Sequence, residues 1–416
     1  MTFPYFYDII EYNLFFYNGA FMEYVFSNKI AELKPSAIRE IFKSLTDPEI
    51  ISLAAGNPSP ESFPTEELAR ISADIFENSP TLALQYSITE GYPPLREAVA
   101  KRQKERFGIG RENDTVMIVS GGQQGIELAC KVLCNEDDTV ICENPSFIGA
   151  LNSFRSNGAN VVGVELEDDG ISIEGLEKAL KENPRTKLIY LIPTFQNPAG
   201  ITTSLEKRHA ILELAKKYGV IILEDNPYGE LRFDGEDVPT LKSMDDEGRV
   251  IYCSSFSKIL SAGMRVGFVV ADQALVSKMA VAKQGEDVHT NIFFQLLCYR
   301  YMTDCDLDAH IAKINDIYRR KCALMLDAIE KYVPADKVTF TRPQGGLFIW
   351  GKVHGCDDVS PIIQKLIAKK VAVVPGSAFN CDTSAPSGCF RLNYSTPTDE
   401  QIVEGIKRIG EVFKEL

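Results

Sequence analysis

From Thr115 onward, short apolar runs rich in β-branched residues alternate with stretches whose apolar positions recur every three to four residues. The first pattern predicts strands and the second helices, because side chains repeat on one face every second residue of a strand and every 3.6 of a helix. Strands are expected near 115–120, 139–143, 161–165, 187–192, 220–224, 250–254 and 266–271, and helices near 123–134, 147–156, 173–182 and 204–218. Such alternation predicts an α/β fold built on a mostly parallel seven-stranded sheet covered on both faces.

Ahead of that region, residues 66–77 and 93–107 carry helical patterns, and Leu84–Pro94 between them is too polar and broken for a regular element. Ser36 is expected to cap a helix from Ala37 to Leu45. Ile50–Leu53 reads as a short strand entering Ala54–Pro60, a loop punctuated by Gly56 and two prolines. Beyond about residue 300 the pattern changes. A long helix (Asp308–Tyr332), strands at Val338–Phe340, Gly345–Trp350, 371–374 and Cys389–Tyr394, and helices at 359–369 and 398–415 predict a smaller C-terminal α/β domain. The expected division is 66–305 for the large domain and 306–416 for the small one, with 22–65 packing against the latter. Residues 1–21 are aromatic-rich, lack lysine and arginine, and are broken by Asp8 and Glu11, so neither a secretory signal nor a membrane span is expected. They read as a leader or arm, possessing no site residue, with Met22 as the expected start.

Composition narrows the partners. The 416 residues are 45% hydrophobic and 25% charged, with a formal net charge of −14. Without a long basic run, that balance excludes nucleic acid and anionic membrane as expected partners. Ten cysteines form no CxxC pair, and the four histidines are far apart, so no metal is expected. Reduced thiols in a cytoplasmic protein are the reading.

Sheets of this kind bind ligands at the carboxyl ends of their strands, and the unusual polar residues fall there. Ser120-Gly-Gly-Gln-Gln-Gly125 follows the strand at 115–120, where glycines and a helix start favour a phosphate but equally make a plain turn. Asn144-Pro-Ser-Phe147 places a ring at the next strand end, and Phe-Gln-Asn197-Pro-Ala-Gly follows 187–192. Asp225 ends an apolar strand in Glu-Asp-Asn-Pro-Tyr228 and either caps a turn or faces a protonated ring nitrogen. Cys253-Ser-Ser-Phe-Ser-Lys-Ile-Leu-Ser-Ala-Gly-Met-Arg265 lies between two apolar strands. Its serines (Ser254, Ser255, Ser257, Ser261) and Arg265 suit a phosphate, while Lys258 offers an amine to a carbonyl. Phosphate, aldehyde and lysine together describe pyridoxal 5′-phosphate (PLP). A solvated lysine in a polar loop reads equally well from that stretch alone. Arg391 stands in an otherwise apolar strand, Cys389-Phe-Arg-Leu-Asn-Tyr394.

Taken together and in order, SSFSK-ILSAGMRVG, FQNPAG, EDNPY, SGGQQG and FRLNYS resemble a fold type I PLP-dependent aminotransferase of the class I/II superfamily. The resemblance covers roughly residues 30–416 and is strongest to the 2-aminoadipate, kynurenine and broad-specificity aromatic or branched-chain subgroup. It implies that Lys258 binds PLP covalently and serves as the base for the proton shift. Asp225 would pair with the ring nitrogen, and Asn197 and Tyr228 with the ring's phenolic oxygen. Phe147 would stack on the ring where many relatives carry tyrosine. Gly122, standing where a serine is common, Gln123, Ser255, Ser257 and Arg265 would bind the phosphate. Arg391, with Gly56 and Asn197, would face the substrate carboxylate. Tyr86 would reach the phosphate of a neighbouring subunit, which implies a homodimer.

The resemblance leaves two alternatives in view. PLP-dependent β-lyases share the fold and most of these residues, although Arg391 favours transamination. A MocR-like regulator needs a basic helical DNA-binding module ahead of the domain, which residues 1–35 do not supply. No second arginine stands in an equally constrained motif, and Phe63, Leu347 and Phe379 are expected to form an apolar wall. Broad acceptance of aromatic, branched and 2-aminoadipate-like amino acids is therefore expected, with 2-oxoglutarate as acceptor.

Overall fold

The computed structural model describes residues 16–17, 20–21, 24–31, 33 and 49–416. The expected start at Met22, the helix from Ala37 to Leu45 and most of residues 1–21 lie outside the described residues. After a two-residue antiparallel pair at Phe16–Tyr17 and Ala20–Phe21, the strands in chain order are β1 (Ile51–Ser52), β2 (Asp114–Val119), β3 (Thr139–Asn144), β4 (Asn160–Glu167) and β5 (Gly170–Ile171). They continue as β6 (Thr186–Leu191), β7 (Ile221–Asp225), β8 (Val250–Ser255) and β9 (Gly267–Asp272). The C-terminal part adds β10 (Val338–Phe340), β11 (Phe348–Val353), β12 (Val371–Ala372), β13 (Val374–Pro375) and β14 (Cys389–Asn393).

The large sheet has the order β2-β9-β8-β7-β6-β3-β4-β5. All seven expected strands are present, and the two-residue β5 extends the sheet to eight by pairing antiparallel with the end of β4. Strands β6 to β8 are buried almost throughout, as their unbroken apolar sequences require when helices cover both faces. β9 runs antiparallel to β8 and β2, while β2, β8, β7, β6, β3 and β4 are mutually parallel. This arrangement has a direct consequence for chemistry. The carboxyl ends of the parallel strands and the amino end of β9 share one edge, so Gly122, Asn144, Asp225, Ser255 and Arg265 gather there.

Helices α1 (Thr65–Asn78), α2 (Pro80–Leu84), α3 (Pro93–Phe107), α4 (Gly122–Leu133), α5 (Ile148–Ser156), α6 (Ile173–Glu182) and α7 (Leu205–Tyr218) precede α8 (Gln273–Gln284) and α9 (Ile292–Asp304). The sequence pattern predicts neither α8 nor α9, nor the short α2. α8 interrupts its buried Val276, Met279 and Ala280 with a buried Lys283, and α9 is apolar nearly all round. In sequence, neither confines its apolar residues to one stripe, although α8 buries one face only.

The long helix α10 (Leu307–Tyr332) leads into a second, antiparallel sheet of order β10-β11-β14-β13. Helices α11 (Ser360–Ala368) and α12 (Asp399–Lys414) cover it, the latter opened by a capping box between Thr398 and Gln401. β1 pairs in parallel with β12, and Asn393 donates its backbone N–H to the Leu53 carbonyl at 2.8 Å. The loop after β1, carrying Ala54 and Gly56, is thereby fastened to the C-terminal sheet and held over the active edge of the large one.

Candidate active site

Lys258 sits in the turn after β8, and its Nζ donates to the Gly56 carbonyl at 2.7 Å. Burial, then the nearby Arg391 and Arg265 cations, lower its pKa from the ordinary lysine value to about 8. Ser255 Oγ donates to Ser257 Oγ at 2.7 Å and accepts from the Ser257 backbone N–H at 3.0 Å, so the two hydroxyls are locked beside one another. Arg265 reaches Ser257 Oγ at 3.4 Å and the Ser120 carbonyl at 3.4 Å. Its backbone holds a left-handed φ of 55°, uncommon for a side chain of this size. Gly121, at φ 78°, makes room for it: a Cβ there would lie 2.1 Å from an Arg265 guanidinium nitrogen. Directly after it, Gly122 opens α4, whose first backbone amides have no acceptor within the helix.

On the other side, Arg391 on β14 is buried, stacked between Phe348 and Phe379 with its guanidinium carbon 4.1 Å and 4.8 Å from the ring centroids. It donates to Asn197 Oδ1 at 2.8 Å and to the Ala54 carbonyl at 2.9 Å, while its Nε has no partner among the described residues. Asn197 Nδ2 in turn donates to the Tyr228 hydroxyl at 3.4 Å. Asp225, the last residue of β7, is buried and accepts from the Tyr190 hydroxyl at 2.7 Å. Burial raises its pKa to about 7, against the opposing effect of the Tyr190 hydrogen bond.

Charge sharpens the picture. Among the described residues, Lys258, Arg265 and Arg391 form no ion pair, and neither does Asp225. Three cations and one carboxylate therefore converge on one edge with their charges uncompensated, which a protein tolerates where ligand charges complete them. A dianionic phosphate, a substrate carboxylate and a protonated ring nitrogen supply the matching set, so the residues present fit PLP.

The comparisons with known proteins decide the family. The model for aminotransferase class I and II matches residues 48–409. The chain belongs to the class I and II aminotransferases. Their PLP-dependent chemistry is therefore the activity of this enzyme. It is similar to aromatic-amino-acid aminotransferase 1 of Thermococcus litoralis, 41% identical over 94% of this chain and 95% of that one. A kynurenine aminotransferase of Pyrococcus horikoshii, solved in complex with PMP, is 40% identical with a TM-score of 0.90 over 94% of this chain and 97% of that one. LysN, an α-aminoadipate aminotransferase of Thermus thermophilus complexed with N-(5′-phosphopyridoxyl)-L-leucine, is 36% identical with a TM-score of 0.85, covering 94% and 97% of the two chains.

Within this aminotransferase, the structure brings Lys258, Asp225, Tyr228, Asn197, Arg391, Gly56, Ser255, Ser257, Arg265 and Gly122 to one edge, with Phe147 preceding α5 beside them. Among the other expected groups, only Ser254 is turned away. The Gln123 side-chain amide is turned to α5, donating to the Gly149 carbonyl and Ser153 Oγ, which leaves only its backbone N–H for a phosphate. Ser254 Oγ donates to the Asn226 carbonyl instead of joining the phosphate cup. Tyr86, expected at the phosphate of a neighbouring subunit, is 83% exposed and meets His289 edge-on. Sequence reasoning passed over Tyr190 and Phe348. A hydroxyl in the apolar run of β6 needs a partner, and that signal was available for Tyr190.

Proposed function

We propose that this enzyme transfers the α-amino group of aromatic, branched-chain and 2-aminoadipate-like amino acids to 2-oxo acids such as 2-oxoglutarate. The observation that carries the reading is the convergence of uncompensated Lys258, Arg265, Arg391 and Asp225 on one sheet edge. Bound there, PLP supplies the electron sink that stabilises the carbanion left when the substrate α-proton departs. The chain's own residues do the rest. Ser255, Ser257, Arg265 and the Gly122 and Gln123 amides hold the phosphate. Asp225 keeps the ring nitrogen protonated, Asn197 and Tyr228 hold the phenolic oxygen, and Phe147 covers one ring face. Arg391 orients the substrate carboxylate beside Gly56, which fixes which bond to the α-carbon is broken.

Lys258 then moves the proton. With a pKa of about 8 it is appreciably neutral at physiological pH, as a base must be, whereas an ordinary lysine is almost wholly protonated. Phe348 and Phe379 flank Arg391, and apolar side chains of the substrate suit such walls.

A homodimer belongs to this reading. Leu82, Leu84, Tyr86, Ile88 and Val288 are all exposed apolar groups of one region, and covering them with a second copy would carry Tyr86 toward the partner's phosphate. The ten cysteines are free thiols, which suits the reducing cytoplasm.

A panel of amino donors with 2-oxoglutarate tests the substrate range. Phenylalanine, leucine and 2-aminoadipate are each expected to turn over, and without acceptor each active site should yield a single equivalent of 2-oxo acid. Strict aspartate specificity, with none of these three accepted, would refute it.

A further inference from the structure

We propose that Tyr190 is a positioning residue for the amino-group transfer: its hydroxyl holds one oxygen of Asp225, leaving the other to pair with the cofactor's ring nitrogen and biasing the shared proton onto that nitrogen. The inference rests on the assignment of Asp225 to the ring nitrogen.

The geometry comes from strand register. Tyr190 on β6 pairs with Leu223 on β7, and Asp225 lies two residues further along, on the same face. A side chain of tyrosine length spans that diagonal, and its hydroxyl donates to Asp225 Oδ2 at 2.7 Å. In register on either side lie Cys142 of β3, opposite Tyr190, and Cys253 of β8, opposite Asp225. Cys253 does not compete as a donor, since its Sγ is directed to the Gly122 carbonyl at 3.3 Å. Tyr190 is itself fully buried and fixed edge-on against Phe154, with ring centroids 5.3 Å apart. Among the described residues, Tyr190 is the sole hydrogen-bond partner of the Asp225 carboxylate.

The consequence follows from what a hydrogen bond does to a carboxylate. Donation to the charged form favours that form, so a proton shared between Asp225 and a ring nitrogen is pushed toward the nitrogen. Without the hydroxyl, a buried carboxylate recovers its proton more readily and the pair relaxes toward two neutral partners. The other groups facing Asp225 do not offset this. Glu143 on β3 is a second buried carboxylate, whose ionised form opposes that of Asp225, and Tyr228 is kept neutral by burial. Only Tyr190 favours the ionised carboxylate directly.

Y190F and D225N holoenzymes, loaded with PLP carrying 15N in the ring, provide the test. Y190F deletes one oxygen and keeps the ring packed on Phe154. The 15N signal at pH 7 should move toward the unprotonated position in Y190F, and kcat should fall about tenfold to a hundredfold, the range for one lost hydrogen bond to a charged group. KM for the amino donor should change by less than about twofold, because Tyr190 touches no substrate. A Y190F signal identical to wild type, with D225N shifted, would overturn the role of Tyr190 while leaving Asp225 in place. If D225N were also unshifted, the assignment of Asp225 would fail, and this inference with it.

Discussion

Lys258→Ala is expected to retain PLP through the phosphate cup yet lose turnover by on the order of 10⁴-fold or more, because covalent attachment and proton transfer depend on the same amine. The structure makes that amine hard to replace. Its Nζ is held by the Gly56 carbonyl at 2.7 Å, between Arg391 and Arg265, which with burial lower its pKa to about 8. Among the described residues, Lys283 is the other buried lysine near this edge, and it is already bound to Asp287 and Gln124. It has no free position from which to substitute. Steady-state kcat together with the visible spectrum of the bound cofactor checks the prediction. Activity within tenfold of wild type would mean that another group moves the proton.

Arg391→Lys should lower kcat/KM by about a hundredfold for amino donor and oxo acceptor alike, while the cofactor spectrum stays unchanged. A planar guanidinium offers a carboxylate two parallel hydrogen bonds, and a lysine ammonium offers one point charge. Losing one charged hydrogen bond costs about 1.5–3 kcal/mol, which is roughly tenfold to a hundredfold. Stacking adds to the loss, since Phe348 and Phe379 grip the flat guanidinium. The bond to Asn197 Oδ1 is lost as well, while Asn197 keeps its bond to the Tyr228 hydroxyl. Comparing kcat/KM for both half-reactions tests this. An effect on the donor alone would place Arg391 against the substrate side chain instead of its carboxylate.

Much of this was legible because the chemistry lies next to strong punctuation. Asp225 ends β7 and Ser255 ends β8, so the break in the apolar run announces the polar residue. Parallel topology then sends those ends to one edge, which explains how five separated motifs predict a single site. Contacts set by long-range packing were not legible. Lys258 meets the Gly56 carbonyl across 202 residues of sequence, and only pairing of β1 with β12 places that loop above the edge. Arg391 rests on Phe348 because β11 and β14 pair with Phe348 opposite Asn393, a register the sequence does not state. The turned side chain of Gln123 is equally a matter of tertiary choice, since Ser153 and the Gly149 carbonyl outcompete an open phosphate site. Helices α8 and α9 were hidden for a different reason. α9 is buried on several sides and so loses the amphipathic signature by which a surface helix is read, whereas α8 buries a single face that includes Lys283 and leaves Val281 exposed on the other.

On this reading Lys258 is the lysine that binds the cofactor. Borohydride reduction of the PLP-loaded protein, followed by peptide mapping, tests it most directly. The label is expected on the peptide containing Lys258, in near-stoichiometric yield. A label on Lys283 or Lys242, the two lysines that the structure instead commits to buried ion pairs, would contradict it.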